Sequence, residues 1–381
     1  MEILAKMNTL KVQTVVKRFG NTLALDHLSL TLADEDFLTL LGPSNSGKST
    51  LFQLIAGLDQ PDAGRLYWNA IDMTDRHSAL RNVALVSQKY GLMSQLNVYD
   101  NVDQALRFRR LSKKERQQRV LSALELLQLQ PLQKSSLKTL SGGEIQRVAI
   151  ARAMVRDADI YLFDEPTTQL DPHARYRVQQ AMLLVHRIKC SISIYATQSP
   201  ADAFAMGGRI AIINQGRIEQ IGTADSLLRR PANLFVAQLL NQPLLNQLSA
   251  TLQTTESGYV VQTGNLKIVL DTSWRAVLES SGAQAQLILG IRPGKIMFEW
   301  TLKSINTTNY ILLKAYVLGI ELLMGYWTVQ LNIGHKVTLM AELKDIQQPT
   351  LQIGSYITIG LDPADIYLFD PHTSTIISPQ S

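Results

Sequence analysis

The stretch GPSNSGKST at 42–50 constrains this chain more than any other. It fits the pattern G-x-x-x-x-G-K-[ST]. Before it, residues 37–41 form a near-continuous apolar run, as in a parallel strand buried on both faces. After it, LFQLIAGL has helical spacing. A strand, this loop and a helix in that order make a cradle for phosphate. Gly42 and Gly47 let the backbone turn tightly, so that amide groups face phosphate oxygens. Lys48 reaches the terminal phosphates and Ser49 is the expected Mg²⁺ ligand, while the helix N-terminus adds partial positive charge. Pro43, Ser44, Ser46 and Thr50 complete the loop. Asn45 tolerates left-handed backbone angles better than most residues, so the loop is expected to form.

A phosphate cradle that does chemistry needs carboxylates. DADIYLFDEPTT at 157–168 supplies them after a second buried-strand run, 160–163. Asp164 at its end can hold Mg²⁺ through water. Glu165 is then placed to polarise an attacking water as a general base.

Between these two stretches lies LSGGEIQRVAIARAM, 140–154. Ser141 can cap a helix, with Glu144 three residues on completing a capping box. The segment resembles the signature of ATP-binding cassette (ABC) proteins. The resemblance implies that Ser141, Gly142 and Gly143 approach the γ-phosphate of ATP held by an opposite subunit. A head-to-tail cassette dimer with ATP in its interface follows. Other parts match too. VVKRFGNTLALDHLSL (15–30) looks like the adenine-stacking strand, with Phe19 where the family usually has tyrosine. LVSQKYGLMSQLNVYDNV (85–102) looks like the glutamine loop. Gln88 would touch Mg²⁺ or the lytic water, and 89–98 would meet the transport partner. TTQLDP (167–172) resembles the D-loop, with Asp171 shaping the interface and Gln169 replacing the usual asparagine.

Residues 209–239 resemble the end of importer cassettes related to the maltose and glycerol-phosphate ATPase subunits. AQLILGIRPGKIMF (285–298) and GSYITIGLDPADIYLFD (354–370) resemble the two ends of their OB-like domain. Short alternating segments such as GYVVQTG and YWTVQL read as strands between turns. The implied fold is an α/β P-loop NTPase cassette, a RecA-like core plus helical subdomain, followed by a mostly β OB-like domain. We place the cassette at 1–238, its helical subdomain at about 89–155, and a regulatory and dimerisation domain at 239–381.

The composition agrees with this class. Of 381 residues, 46% are hydrophobic and 18% charged, enough for a sizeable core. The formal charge of +5 is mild for this length. The basic stretches RFRR (107–110) and KKERQQR (113–119) read first as a solvated helix face, and second as a docking surface. Stacking aromatics and a basic stripe are not evident in the second half, so nucleic acid is not an expected partner. The lone Cys190 suits a cytosolic chain. No apolar run of about 18 residues appears, so a membrane role comes through partners. The resemblance implies two membrane-spanning permease subunits, a solute-binding protein, and a peripheral position on the cytoplasmic face of the inner membrane. A non-transport ATP clamp fits less well, because the chain has one cassette and no long coiled-coil insertion.

One position departs from the pattern. After the strand SISIYA, the family reads T-H-D, and here it is TQS, 197–199. The family's histidine contacts the γ-phosphate and helps hold the water and the catalytic glutamate. Gln198 carries an amide NH₂ that can donate to phosphate but cannot become cationic. The sequence leaves three readings open: a slow site, a weak site paired with a different cassette, or an adequate substitute in an ordinary motor.

Overall fold

The computed structural model describes residues 8–87, 91–241, 243–255, 258–271, 273–280, 286–303, 307, 310–323, 326–343 and 351–378. The chain divides into two compact units, Met1–Ala224 and Asp225–Ser381.

In the first unit, the strands β1 (Thr9–Phe19), β2 (Thr22–Ala33), β4 (Ala63–Trp68) and β5 (Ile71–Asp72) form an antiparallel sheet in the order β2-β1-β4-β5. A second sheet runs β10-β9-β3-β8-β7-β6. Its members are β3 (Phe37–Leu41), β6 (Val83–Val86), β7 (Ile160–Asp164), β8 (Ile192–Thr197), β9 (Arg209–Asn214) and β10 (Arg217–Gly222). All of its pairings are parallel except that of β10 with β9. Strands β3, β7 and β8 are buried along almost their whole length, which is why they read as continuous apolar runs.

Helices cover this sheet. The first, α1 (Lys48–Ala56), buries Leu51, Phe52, Leu54 and Ile55 on the antiparallel side. Three more, α2 (Val98–Asp103), α3 (Lys113–Leu126) and α4 (Gly142–Met154), lie between β6 and β7 in the chain. Val102, Val120, Leu124, Val148 and Ile150 from these helices share a core with Tyr161 and Phe163 of β7. Two further helices, α5 (Pro172–Lys189) and α6 (Pro200–Met206), flank β8 in sequence. The basic stretches of the helical region are partly neutralised: Arg107 and Arg116 both pair with Asp103, and Arg119 with Asp157.

The register sets the site. Leu41 of β3 pairs with Thr197 of β8, and Asp164 of β7 pairs with Ala196. Three parallel strands therefore end side by side. Their outgoing loops are Gly42–Thr50, Glu165–Asp171 and Gln198–Ser199. A crevice at the carboxyl ends of parallel strands is where such sheets take ligands.

The second unit begins within the helix Ala224–Arg229. The boundary read from sequence, 238/239, lies further on. The helix Leu234–Leu240 packs into the second unit, where Ala237 joins Leu245, Tyr367 and Phe369 in one apolar cluster. The Leu234 amide donates to the Ser374 carbonyl at 2.9 Å. Two sheets follow. One joins Asn246–Thr255, Gly258–Thr263, Leu266–Val269, Gln286–Ile291, Ile366–Phe369 and Ile376–Ile377. The other joins Met297–Phe298, Ile311–Leu323, Tyr326–Asn332, Thr338–Leu343 and Tyr356–Leu361. Val261, Leu289, Val317, Val329 and Ile359 bury a common core. Asn246 ties the sheets: its amide donates to Ile291 and Met340 carbonyls, and its oxygen accepts from the Met340 amide.

Candidate nucleotide site

The loop Gly42–Thr50 has the backbone its sequence predicts. Asn45 lies in the left-handed region at φ 63°. Gly47 caps α1 at φ 108°, and a Cβ there would sit 2.6 Å from the Ala24 carbonyl oxygen. Gly42 is needed for a different reason than the tight turn expected. Its φ is not positive, but a Cβ would lie 2.3 Å from the Ile213 carbonyl oxygen of β9. Close approach, not handedness, demands glycine there. Ser46 is 2% exposed and its carbonyl accepts from Gly216 at 2.9 Å, so it frames the loop from beneath.

Lys48, 3% exposed, turns back on the loop. Its ammonium donates to the carbonyls of Gly42 at 2.9 Å and Pro43 at 2.8 Å. It also lies 3.4 Å from Glu165 Oε1. Burial pulls the Lys48 pKa down and the Glu165 carboxylate opposes that shift. Ser49 Oγ donates to Asp164 Oδ1 at 3.2 Å. Burial raises the Asp164 pKa, with the Ser49 bond acting against it. The Glu165 charge adds to the effect of burial and the Lys48 charge opposes it, so the half-buried Asp164 would gain from a further cation.

Gln198 closes the arrangement. Its Nε2 donates to both oxygens of Glu165 at 2.8 Å, and its Oε1 accepts from Ser44 Oγ at 2.8 Å. Glu165 stands at φ 49°, its amide held by the Ala196 carbonyl of β8 at 3.0 Å. Thr168 Oγ1 adds a longer bond to Glu165 Oε2, 3.4 Å.

These side chains line a cleft of about 540 Å³ with Phe19, Thr22, Leu23, Ala24, Asn45, Gly47 and Thr50. Phe19 is 49% exposed, its ring free to take a flat partner on the side away from Lys17, whose ammonium lies 5.2 Å from the centroid. The structure thus gathers Phe19, Ser44, Asn45, Gly47, Lys48, Ser49, Thr50, Glu165 and Gln198, with Asp164 bonded to Ser49. Gln88 lies outside the described residues. Ser141, Gly142, Gly143 and Asp171 do not line this cleft. Ser141 and Glu144 form the expected capping box at the start of α4. Gly143 has an intramolecular reason as well: a Cβ would meet the Ala174 Cβ of α5 at 2.8 Å. Asp171 caps α5, accepting from His173 and Ala174 amides at 3.0 Å.

Sequence reasoning missed two contributions. Thr22, Leu23 and Ala24 form a wall of the cleft, on the hairpin that follows Phe19. The bond between Ser44 and Gln198 crosses 154 positions of chain. Its signal was the pairing of two buried runs as neighbouring strands, each ending in a polar turn.

The cradle, the carboxylate pair and the capped signature helix define a nucleotide-hydrolysing cassette. Comparison with known proteins agrees. The ABC transporter family model matches residues 25–168. The chain is 33% identical to the sn-glycerol-3-phosphate import ATP-binding protein UgpC of Yersinia pseudotuberculosis, over 98% of this chain and 100% of that one. It is 32% identical to the trehalose/maltose import ATP-binding protein MalK of Thermococcus litoralis, over 97% and 100%. A dimeric structure of the bacterial ABC transporter cassette MJ0796 aligns at TM-score 0.52 and 29% identity, covering 56% of this chain and 98% of that one. The same cassette in a post-hydrolysis state with ADP and phosphate aligns at TM-score 0.51. The chain belongs to the ABC transporter family and is an ABC-type ATPase.

Proposed function

We propose that this chain is the energy-coupling ATPase subunit of an importer for a carbohydrate or glycerol-phosphate-like solute. The observation that carries this reading is the linked set Ser44–Gln198–Glu165–Lys48 at the ends of three parallel strands. The near-complete alignment with import ATP-binding proteins for glycerol 3-phosphate and for trehalose and maltose supports the solute class.

The geometry suggests the sequence of events. Gln198 and Lys48 hold Glu165. Phosphates entering the loop draw Lys48 from the Gly42 and Pro43 carbonyls, while adenine stacks on Phe19. Gln198 turns its Nε2 to the γ-phosphate, which frees Glu165 to accept a proton from water. The water oxygen then bonds to the γ-phosphorus, the bond to the β–γ bridging oxygen breaks, and ADP and phosphate leave. Ser49 and Asp164, 3.2 Å apart, would hold Mg²⁺, and by its place in the motif Gln88 would be a further ligand. When bound, Mg²⁺ neutralises phosphate charge.

In this reading Gln198 is a working neutral substitute. Its amide is engaged on both sides and already directed at the catalytic carboxylate. The cassettes pair head to tail as a homodimer, each supplying Ser141–Gly143 and Asp171 to the other's ATP. The domain from 239 to 381 adds dimerisation and regulation. Support for that lies in exposed apolar side chains on one of its sheets: Leu312, Tyr316, Leu322, Trp327 and Tyr356. Permease subunits dock at a cleft of about 780 Å³ where Leu80 and Phe108 are 73% and 92% exposed. Among the described residues no helix is long and apolar enough to cross a membrane, in keeping with a peripheral subunit on the cytoplasmic face.

The test is reconstitution in vesicles with permease subunits that co-purify with the chain and a solute-binding protein for the tested solute. ATP-driven uptake of labelled maltose, trehalose or glycerol 3-phosphate is expected, and Glu165→Gln should abolish it. Co-purification with soluble proteins only, with no membrane subunit, contradicts the importer assignment.

A further inference from the structure

Asp202 is 4% exposed, lies in the first turn of α6, and does not line the cleft. Its bonding pattern nonetheless joins the two segments that carry Glu165 and Gln198. Asp202 Oδ2 accepts from Thr167 Oγ1 at 2.9 Å, two residues past Glu165. Tyr195 OH, on β8, lies 2.7 Å from Thr167 Oγ1 and 3.3 Å from Asp202 Oδ2. Gln179 of α5 donates to Asp202 Oδ1 at 3.1 Å, and Arg175 Nε stands 3.7 Å from the same oxygen. On its own helix, the Asp202 amide donates to Ser199 Oγ at 3.2 Å, next to Gln198. Thr167, Gln179 and Tyr195 are all buried. Burial first, and the Asp202 charge second, keep the Tyr195 phenol protonated as a donor.

The segment being held is strained. Glu165 and Gln169 both adopt left-handed angles, φ 49° and 66°, which non-glycine residues keep only when their surroundings fix them. Between them, Thr167 is anchored through its side chain to β8 and α6, while Thr168 Oγ1 bonds within the turn to Glu165. The Gln198 turn is anchored from the other side by Ser199 and Asp202. Thr167, Gln179 and Tyr195 are each hydrogen-bonded to Asp202, and such a buried network rigidifies the segments it joins.

We propose that Asp202 is a positioning residue for ATP hydrolysis: it registers the Glu165–Gln169 turn against the Gln198 turn, so that Gln198 can pass from Glu165 to the γ-phosphate. This rests on the reading that Gln198 works at the γ-phosphate. It adds that the accuracy of that contact is set from behind, by one residue whose carboxylate binds Thr167 and Tyr195 of β8 and whose backbone amide binds Ser199. A misplacement of about 1 Å at a reacting group can cost as much as a hundredfold in rate.

The experiment is a double-mutant cycle on steady-state hydrolysis by the full chain, with Asp202→Asn, Gln198→Ala and the pair, and with thermal unfolding of each. Thr167→Val is a second probe that leaves the carboxylate in place. We expect Asp202→Asn and Thr167→Val to lower kcat about ten- to a hundredfold, with KM for ATP within about twofold. In the Gln198→Ala background, Asp202→Asn should cost less than about threefold more. A structural role alone would lower the unfolding temperature and leave kcat of the folded enzyme intact, or would cost the same in both backgrounds; either result overturns the proposal. If Gln198→Ala lowers kcat while Asp202→Asn and Thr167→Val do not, Asp202 positions nothing and the Gln198 reading stands. If Gln198→Ala is silent, the Gln198 reading fails and this inference fails with it.

Discussion

The loop Gly42–Thr50 and the turn at Gln198 leave neighbouring parallel strands and face the same cleft, yet they obey different rules. The loop works through its backbone. Gly47 and Asn45 take left-handed angles, and Gly42 needs the space of a missing Cβ. Each requirement names a residue type, and the sequence keeps all of them. The turn works through one side chain. The backbone there is set by strand pairing and by the cap of α6, whatever residue stands at 198. Glutamine can therefore replace histidine with no change in fold, and the cost or benefit falls on chemistry alone.

Breaking the comparison starts with the largest effect. Glu165→Gln removes the base that Gln198 holds and should lower kcat on the order of 10³-fold, with ATP binding retained. Steady-state turnover beside nucleotide titration measures both. Gln198→Ala should cost on the order of 10²-fold in kcat, as loss of one transition-state donor does, and leave the unfolding temperature nearly unchanged. Gly47→Ala should do the reverse. It places a Cβ against the Ala24 carbonyl at a positive φ and should lose at least about 2 kcal/mol of stability in denaturant unfolding. If Gly47→Ala unfolds like wild type, the backbone half of the comparison fails.

A finer prediction uses pH. Glutamine has no proton to lose, so the wild-type pH profile should lack an imidazole limb. Gln198→His should introduce one near 6.5, the ordinary histidine value. The smallest effect lies at the other end of the layer. His186 on α5 packs edge-on to Phe37 of β3, and its Nδ1 lies 3.1 Å from Ser193 Oγ of β8. Burial holds its pKa below 6.5, opposed by a Ser191 backbone bond and the Glu35 and Asp36 charges, with Arg187 acting alongside burial. A depressed histidine pKa means the folded state binds its proton later than the unfolded one. Stability is therefore full above 6.5 and declines as acid protonates the unfolded chain first. His186→Gln should remove that decline from unfolding curves taken between pH 7 and 5.

The same contrast explains what was legible beforehand. Strands β3, β7 and β8 and the capped start of α4 could be read directly, because buried parallel strands and capping boxes are local patterns. The cradle and the carboxylate pair were legible because their chemistry fixes residue order. Less was visible where structure depends on distant pairing. The Ser44–Gln198 bond, the wall at Thr22–Ala24 and the Asp202 network each join segments that only the sheet order brings together. The need for Gly42 was foreseen, but its reason, contact with Ile213 on β9, belongs to tertiary packing. The start of the second unit was read late because the helix Leu234–Leu240 carries no local sign of which core it joins.

The most direct test is steady-state ATP hydrolysis by the purified chain beside Gln198→His, with Glu165→Gln as the blank. The expected result is wild-type turnover well above the blank, with histidine changing it by less than about tenfold, since the Gln198 amide already bonds Glu165 and can donate to phosphate. Wild-type turnover equal to the blank, with a gain on the order of 10²-fold or more from histidine, contradicts a working Gln198 and points to a weak site paired with a second, different cassette.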